Sequence, residues 1–176
     1  MKPVVIAVVG GKKSGKTTAI EILTKELTTR GYRIAVVKHI PESNFTIDNE
    51  GKDTWRYAQS GATIVIGASA DEIATIEKVN AKSISLNDIL QRCKNSDIVF
   101  VEGFRKSVSR DRSIYKIVVA QSLEDFEEAI VTFDPILVFT GPCSPKKSDL
   151  RVPYIEIFKN AKKIADLVEK WLKKKL

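Results

Sequence analysis

Apolar positions fall in short, dense blocks along the chain. Val4–Val9 is an unbroken apolar run, and Ile34–Val37, Ile98–Val101, Ile117–Ala120 and Ile136–Phe139 are shorter ones. Such blocks lack the in–out alternation of a half-exposed strand, so they predict strands of a sheet covered on both faces. Between them the spacing changes to that of helices. Ala19, Leu23 and Leu27 recur across residues 18–30, Glu21 stands four before Lys25, and Gly31 marks the stop. Ser85-Leu86-Asn87-Asp88 reads as a capping box, followed by Ile89, Leu90 and Cys93 on the same face as Leu86. Ser122 and Asp125 open a helix expected to carry Leu123, Phe126 and Ile130 inward, and Ile164, Leu167, Val168, Trp171 and Leu172 stripe a C-terminal one. Asp53 is placed to cap a short helix closed by Gly61. Thr63–Ile66 and Ile73–Val79 read as a hairpin, and Pro153–Ile157 as the last strand. Strands alternating with helices predict one α/β domain over residues 1–176, its sheet doubly wound and mostly parallel.

Ligands of such sheets bind beyond the carboxyl ends of the strands. At the first of those ends stands Gly10-Gly11-Lys12-Lys13-Ser14-Gly15-Lys16-Thr17-Thr18, which fits G-x-x-x-x-G-K-[ST]. The flanking strand and helix are the context that motif requires. Glycines let the loop wrap closely. The N–H groups at the helix start have no partner within the helix, and the helix dipole adds positive charge there. A phosphate supplies what they lack. Lys16 is expected to reach the β- and γ-phosphates, and the Thr17 hydroxyl to hold Mg²⁺.

The same rim rule gathers Lys38-His39, Glu102-Gly103 and Thr140-Gly141. Glu102 closes an apolar strand and is the expected acidic partner of the phosphate loop, acting on Mg²⁺; Gly103 can turn its N–H to the γ-phosphate. Asp48 and Asp53 lie in the polar stretch after the second strand, a place where phosphate-loop proteins order on binding. Asp53 fits a metal-ligand role as well as a cap. His39 fits a polar rim residue or a structural one. Arg105, Lys106, Arg110 and Arg112 make a basic loop that is either solvated or in contact with an anion.

Composition narrows the field. The chain has 176 residues, 43% hydrophobic and 29% charged, as in globular proteins. No apolar run has the length of a membrane span, and the N-terminus runs straight into a strand, so neither a membrane segment nor a signal peptide is expected. Cys93 and Cys143 stand far apart, which fits a reducing cytoplasmic setting. The net charge of +7 suits an anionic ligand. No aromatic-plus-basic pattern points to nucleic acid.

Gly10–Thr18, Val37-Lys38-His39, Asp48 with Gly51-Lys52-Asp53-Thr54, Ser60-Gly61-Ala62 and Asp97–Phe104 together resemble the molybdopterin-guanine dinucleotide biosynthesis protein B (MobB) family, a family of P-loop proteins. The likeness covers most of residues 1–105. It implies a homodimeric protein that binds GTP and Mg²⁺, hydrolyses GTP weakly, and assists the guanylyltransferase that joins a guanine nucleotide to molybdopterin. It also implies a strand-rich extension between subunits, placed here at about residues 62–80. By matched position, Gly10, Gly11, Lys12, Lys13, Ser14, Gly15, Lys16, Thr17 and Thr18 bind phosphates. Thr17 and Glu102 serve Mg²⁺, Asp48 or Asp53 belongs to the nucleotide loop, and His39 and Gly103 complete the rim. Lys16, Glu102 and Asp53 are the catalytic candidates. No Asn-Lys-x-Asp follows residues 136–139; Thr140-Gly141-Pro142-Cys143 stands there, so guanine rests on the resemblance. The alternative is a small-molecule kinase with the same cradle and an arginine-rich lid. A nickel-type metal-insertion GTPase ranks below both, since the chain has one histidine and two cysteines.

Overall fold

The computed structural model describes residues 2–79, 84–143 and 152–174. Among the described residues seven strands and six helices follow one another as β1 (Val4–Gly10), α1 (Lys16–Thr29), β2 (Ile34–Lys38), α2 (Asp53–Gln59), β3 (Ile64–Ala68), β4 (Ile73–Glu77), α3 (Leu86–Arg92), β5 (Ile98–Glu102), α4 (Arg105–Val108), β6 (Tyr115–Val119), α5 (Leu123–Thr132), β7 (Ile136–Thr140) and α6 (Ile157–Lys174). Contacts group the chain into two compact units, residues 1–39 with 86–176, and residues 40–85.

The first unit holds a parallel sheet in the order β2-β5-β1-β6-β7. The period-2 geometry of a strand sends alternate side chains to opposite faces. On β1, Val4, Ile6 and Val8 join Leu23 and Leu27 of α1 and Ile164 and Val168 of α6. Val5, Ala7 and Val9 join Leu86 of α3 and Phe126 and Ala129 of α5. Both faces are therefore covered, which is why β1 and β5 read as unbroken apolar runs. Each buried Val or Ile side chain contributes roughly 1.5–3 kcal/mol.

The edges depart from expectation. β2 was expected to be buried, yet it is an edge strand with Val36 half exposed. The expected last strand, Pro153–Ile157, is reduced to a single bridge from Tyr154 to Phe139, because α6 already begins at Ile157. α5 opens with the expected capping box, Ser122 accepting from Asp125 N–H and Asp125 accepting from Ser122 N–H. Its buried face, however, is Phe126 and Ala129; Leu123 and Ile130 are exposed. α1 ends as expected: Gly31 adopts φ 88°, and Gly31 and Tyr32 donate to the Thr28 and Leu27 carbonyls.

The second unit contains α2 and the antiparallel β3–β4 hairpin, whose register pairs Val65 with Ile76 and Ile66 with Thr75. The expected extension at 62–80 contains this hairpin; residue 80 lies outside the described residues. Lys52, not Asp53, holds the N-cap position of α2; Asp53 is its first helical residue, an acid in the first turn, where it favours the helix dipole. Among the described residues, no helix is long and apolar enough to cross a membrane.

Candidate functional site: the phosphate loop and its carboxylate

β1 sits at the centre of the parallel sheet, and its carboxyl end delivers the loop that leads into α1. The loop is shaped by backbone that side chains would obstruct. Gly10 has φ 152°, and a Cβ there would lie 2.3 Å from the Val119 carbonyl oxygen. Gly15 has φ 96° at the N-cap of α1 and offers no side-chain cap to the helix. The first N–H groups of α1 consequently face the loop rather than a capping side chain. Lys13 is left-handed at φ 59°, and its carbonyl accepts from Gln121 Nε2 at 3.1 Å, which ties the loop tip to the end of β6.

Two polar groups inside this loop await a partner or hold a makeshift one. Ser14 Oγ is buried with no hydrogen bond. Lys16 Nζ folds back onto the Gly11 carbonyl at 2.5 Å. Partial burial lowers the Lys16 pKa; Glu102 counters this and Lys38 adds to the lowering. An anion placed among these groups would give the ammonium a stronger acceptor than a peptide carbonyl.

Parallel pairing sets the carboxylate. Val8 of β1 is in register with Glu102 of β5, and Glu102 with Lys38 of β2. Thr17 Oγ1 donates to Glu102 Oε2 at 3.3 Å, and Lys38 Nζ lies 3.6 Å from Glu102 Oε1. Glu102 is the shielded member of this group, its side chain 14% exposed against 55% for Lys38. The sequence placed Lys38 on the rim beside His39 but gave it no role; its pairing with Glu102 comes from the register of β2 and β5. Gln121 carried no local pattern.

Gly103 and His39 complete the rim. Gly103 adopts φ 91°, and a Cβ on it would lie 2.6 Å from His39 Cβ. His39 N–H donates to the Glu102 carbonyl at 2.8 Å, and its ring meets Phe104 edge-on at 4.8 Å. Phe104 is itself left-handed, at φ 51°. The backbone after Glu102 is thus held in a tight, strained turn beside the loop. Lys12, Thr17 and Thr18 stand exposed around it.

The basic stretch is spent on its own fold. Arg105 pairs with Glu128 and lies over the Phe133 ring, 5.2 Å from its centroid. Arg110 donates to the Val131 carbonyl, and Arg112 meets Asp134 at 3.1 Å. Arg105 and Glu128 share with Gly10 and Gly11 a small cavity of about 40 Å³. Asp48 and Asp53 belong to the second unit, where Asp48 Oδ1 accepts from Thr54 Oγ1 and Asn49 N–H, and Asp53 meets Arg56 at 3.4 Å.

The residues present fit a nucleotide phosphate with its magnesium ion. Among the described residues, no group of three or more His, Cys, Asp or Glu is placed to hold a metal. Mg²⁺ needs none, since it typically takes one or two protein oxygens and fills its octahedron with phosphate oxygens and water. Thr17 and Glu102 are such a pair.

The model of the family described as molybdopterin guanine dinucleotide synthesis protein B, MobB, matches residues 5–136. The chain belongs to the MobB family. It is 30% identical over 169 residues to the molybdopterin-guanine dinucleotide biosynthesis adapter protein of Haemophilus influenzae, covering 95% of this chain and 88% of that protein. A crystal structure of molybdopterin-guanine biosynthesis protein B superposes with a TM-score of 0.72 at 27% identity, covering 96% of this chain and 99% of that one. Bacillus subtilis MobB, at 22% identity and a TM-score of 0.71 over 94% of this chain and 96% of its own, shares the fold. The resemblance seen in the phosphate loop and in Val101-Glu102-Gly103-Phe104 is thus that of a MobB protein, and the mostly parallel sheet is the MobB fold.

Proposed function

We propose that this protein binds GTP with Mg²⁺ at the loop Gly10–Thr18, hydrolyses it slowly, and acts as an adapter for the guanylyltransferase that attaches a guanine nucleotide to molybdopterin. The observation that carries the reading is the approach of Thr17 Oγ1 to Glu102 Oε2, 3.3 Å, under a loop holding an unpartnered Ser14 hydroxyl. Gly10, Gly11 and Ser14 cradle the phosphates, Lys16 neutralises them, and the Glu102 carboxylate keeps Thr17 oriented. The metal's part is to offset charge on the β- and γ-oxygens. Slow rather than fast hydrolysis fits the arginines, since Arg105, Arg110 and Arg112 are engaged around α5 with Glu128, the Val131 carbonyl and Asp134. The same engagement disfavours the kinase reading, whose lid that stretch would have to supply. The adapter role extends to this chain what the name of its Haemophilus relative says of that protein. Homodimerisation through the β3–β4 hairpin, contact with molybdopterin and a cytoplasmic setting belong to the same reading.

The test is titration of a fluorescent GTP analogue into wild type and Lys16→Ala. Loss of an ammonium that meets two phosphates is expected to weaken binding by about 100-fold. Equal affinity of the two proteins would overturn the reading, as would equal affinity of wild type for ATP and GTP with respect to guanine.

A further inference from the structure

One arginine of the basic stretch borders the phosphate loop. Arg110 and Arg112 are bound toward the far end of α5, at the Val131 carbonyl and Asp134. Arg105 instead stands three residues after Glu102, directly behind the left-handed Gly103 and Phe104. Both contacts of its guanidinium, the Glu128 carboxylate and the Phe133 ring, belong to residues that wall the small cavity shared with Gly10 and Gly11. At about 40 Å³ that cavity has room for only a few water molecules, so a narrow gap separates the guanidinium from the loop. α5 is tied to the loop a second time by Gln121, just before it, which donates to the Lys13 carbonyl at 3.1 Å.

The cavity wall carries two acids. Asp125 already accepts from the Gln121 and Ser122 N–H groups, and Glu128 is the one that holds the guanidinium. That hold is loose. The Arg105 and Glu128 side chains are 51% and 63% exposed, and an ion pair so open to water shifts an equilibrium by about fivefold at most. A phosphate is the stronger acceptor, since it carries more charge and meets a guanidinium with two oxygens at once. Glu128 and a terminal phosphate on the loop would therefore compete for a single arginine.

We propose that Arg105 is a reserve catalytic arginine for nucleotide hydrolysis and that Glu128 restrains it, so that this pair sets the slow rate. The proposal rests on the function proposed above. In the reaction a water oxygen bonds to the γ-phosphorus while the bond from that phosphorus to the β–γ bridging oxygen breaks. The products are GDP, inorganic phosphate and one proton. Arg105 released from Glu128 offsets the charge on the γ-oxygens in the transition state. Glu128 touches none of the reacting atoms; it is a positioning residue that acts through Arg105.

The experiment measures kcat and KM for GTP with excess Mg²⁺ on the full-length protein and on Glu128→Asp, Glu128→Gln and Glu128→Lys. Glu128→Asp keeps the ion pair and is expected to match wild type. Glu128→Gln removes the charge, and kcat is expected to rise about twofold to fivefold with KM little changed. Glu128→Lys repels the guanidinium, and a rise of about tenfold is expected. Adding Arg105→Ala or Arg105→Gln to Glu128→Lys is expected to cancel the gain. A gain that survives loss of Arg105 would show that the charge at 128 acts on the phosphates directly, and would overturn the proposal. So would one kcat across the Glu128 series in proteins whose circular dichroism is that of wild type; a lower urea midpoint beside that flat kcat would leave the pair a purely structural one. GTP bound through Lys16 but hydrolysed at the same rate throughout the series refutes the restraint alone. Wild type that does not bind GTP refutes the phosphate-loop reading, and the restraint with it.

Discussion

At the scale of single residues, the site depends on positions where one atom more or less is felt. Glu102→Gln keeps the shape of the side chain and removes its charge. The expected outcome is a fold unchanged by circular dichroism and a fall of about 10–100-fold in Mg²⁺ affinity, read as the Mg²⁺ dependence of GTP hydrolysis. An unaltered Mg²⁺ midpoint would remove Glu102 from the site. Gly103→Ala should hurt more than its size suggests, because φ 91° disfavours any L side chain and the new Cβ would meet His39 Cβ at 2.6 Å. A loss of roughly 1–3 kcal/mol in urea unfolding is expected, with nucleotide affinity falling alongside it. These residues were legible in the sequence because their chemistry is local: a glycine pattern, a lysine and threonine at fixed offsets, an acid at a strand end. Lys38 was placed on the rim without a role, Ser14 among the phosphate binders without its buried hydroxyl, and Gln121 was not singled out. Their roles come from register and burial, which spacing along the chain does not carry.

At the scale of elements, unbroken apolar runs located the central strands because each is squeezed between two layers of helix. The same run misled at the edge. Ile34–Val37 has the composition of an inner strand, but the strand order leaves β2 with one neighbour and Val36 half exposed. In α5, Leu123 and Ile130 fit the helical period, yet the face they occupy turns away from the sheet. Periodicity names a face; packing chooses which face is used. One residue joins three elements in a way no pattern announced. Lys116, the second residue of β6, is fully buried, and its Nζ donates to the Asp111 carbonyl at 2.8 Å and the Asp134 carbonyl at 2.7 Å, tying β6 to the turns after α4 and before β7. Burial brings its pKa from 10.5 down to about 8, with Asp111 and Asp134 opposing the shift. Because the folded value is the lower one, the unfolded chain holds more protons between about pH 8 and 10.5. Stability relative to Lys116→Met should therefore rise with pH across that window, by about 3 kcal/mol if the shift acts in full. At pH 7 the variant loses the donor to the Asp134 carbonyl, at roughly 1–3 kcal/mol, whereas the Asp111 carbonyl still accepts from Ile114 N–H at 3.2 Å. Urea midpoints of both proteins between pH 7 and 10.5 check the slope; parallel curves would show that Lys116 titrates no differently in the folded state.

At the scale of the whole molecule, the 40–85 unit is too small to be indifferent to what covers it. Among the described residues its sheet has two strands, and two-stranded sheets are marginal in water. Strand alternation sorts its residues cleanly. Val65 and Ile76 face one way and Val65 is buried, whereas Ile64, Ile66 and Ile73 face the other way and are 53%, 63% and 73% exposed. On that face Ile64, Ile66 and Ile73 stand opposite Glu77, Thr75 and Ala68, and exposed isoleucines carry a free-energy cost that association with the same face of a second copy would remove. The sequence announced the hairpin but not this exposure, since an apolar run looks alike whether its cover comes from the same chain or from another. Ile66→Lys places a charge at the middle of that face. Sedimentation velocity at micromolar concentration is expected to show a dimer for wild type and a monomer for Ile66→Lys. The variant should keep its circular dichroism and its GTP affinity, because the phosphate loop belongs to the other unit. A wild type that sediments as a monomer, or a variant that still pairs, would take the hairpin out of the interface.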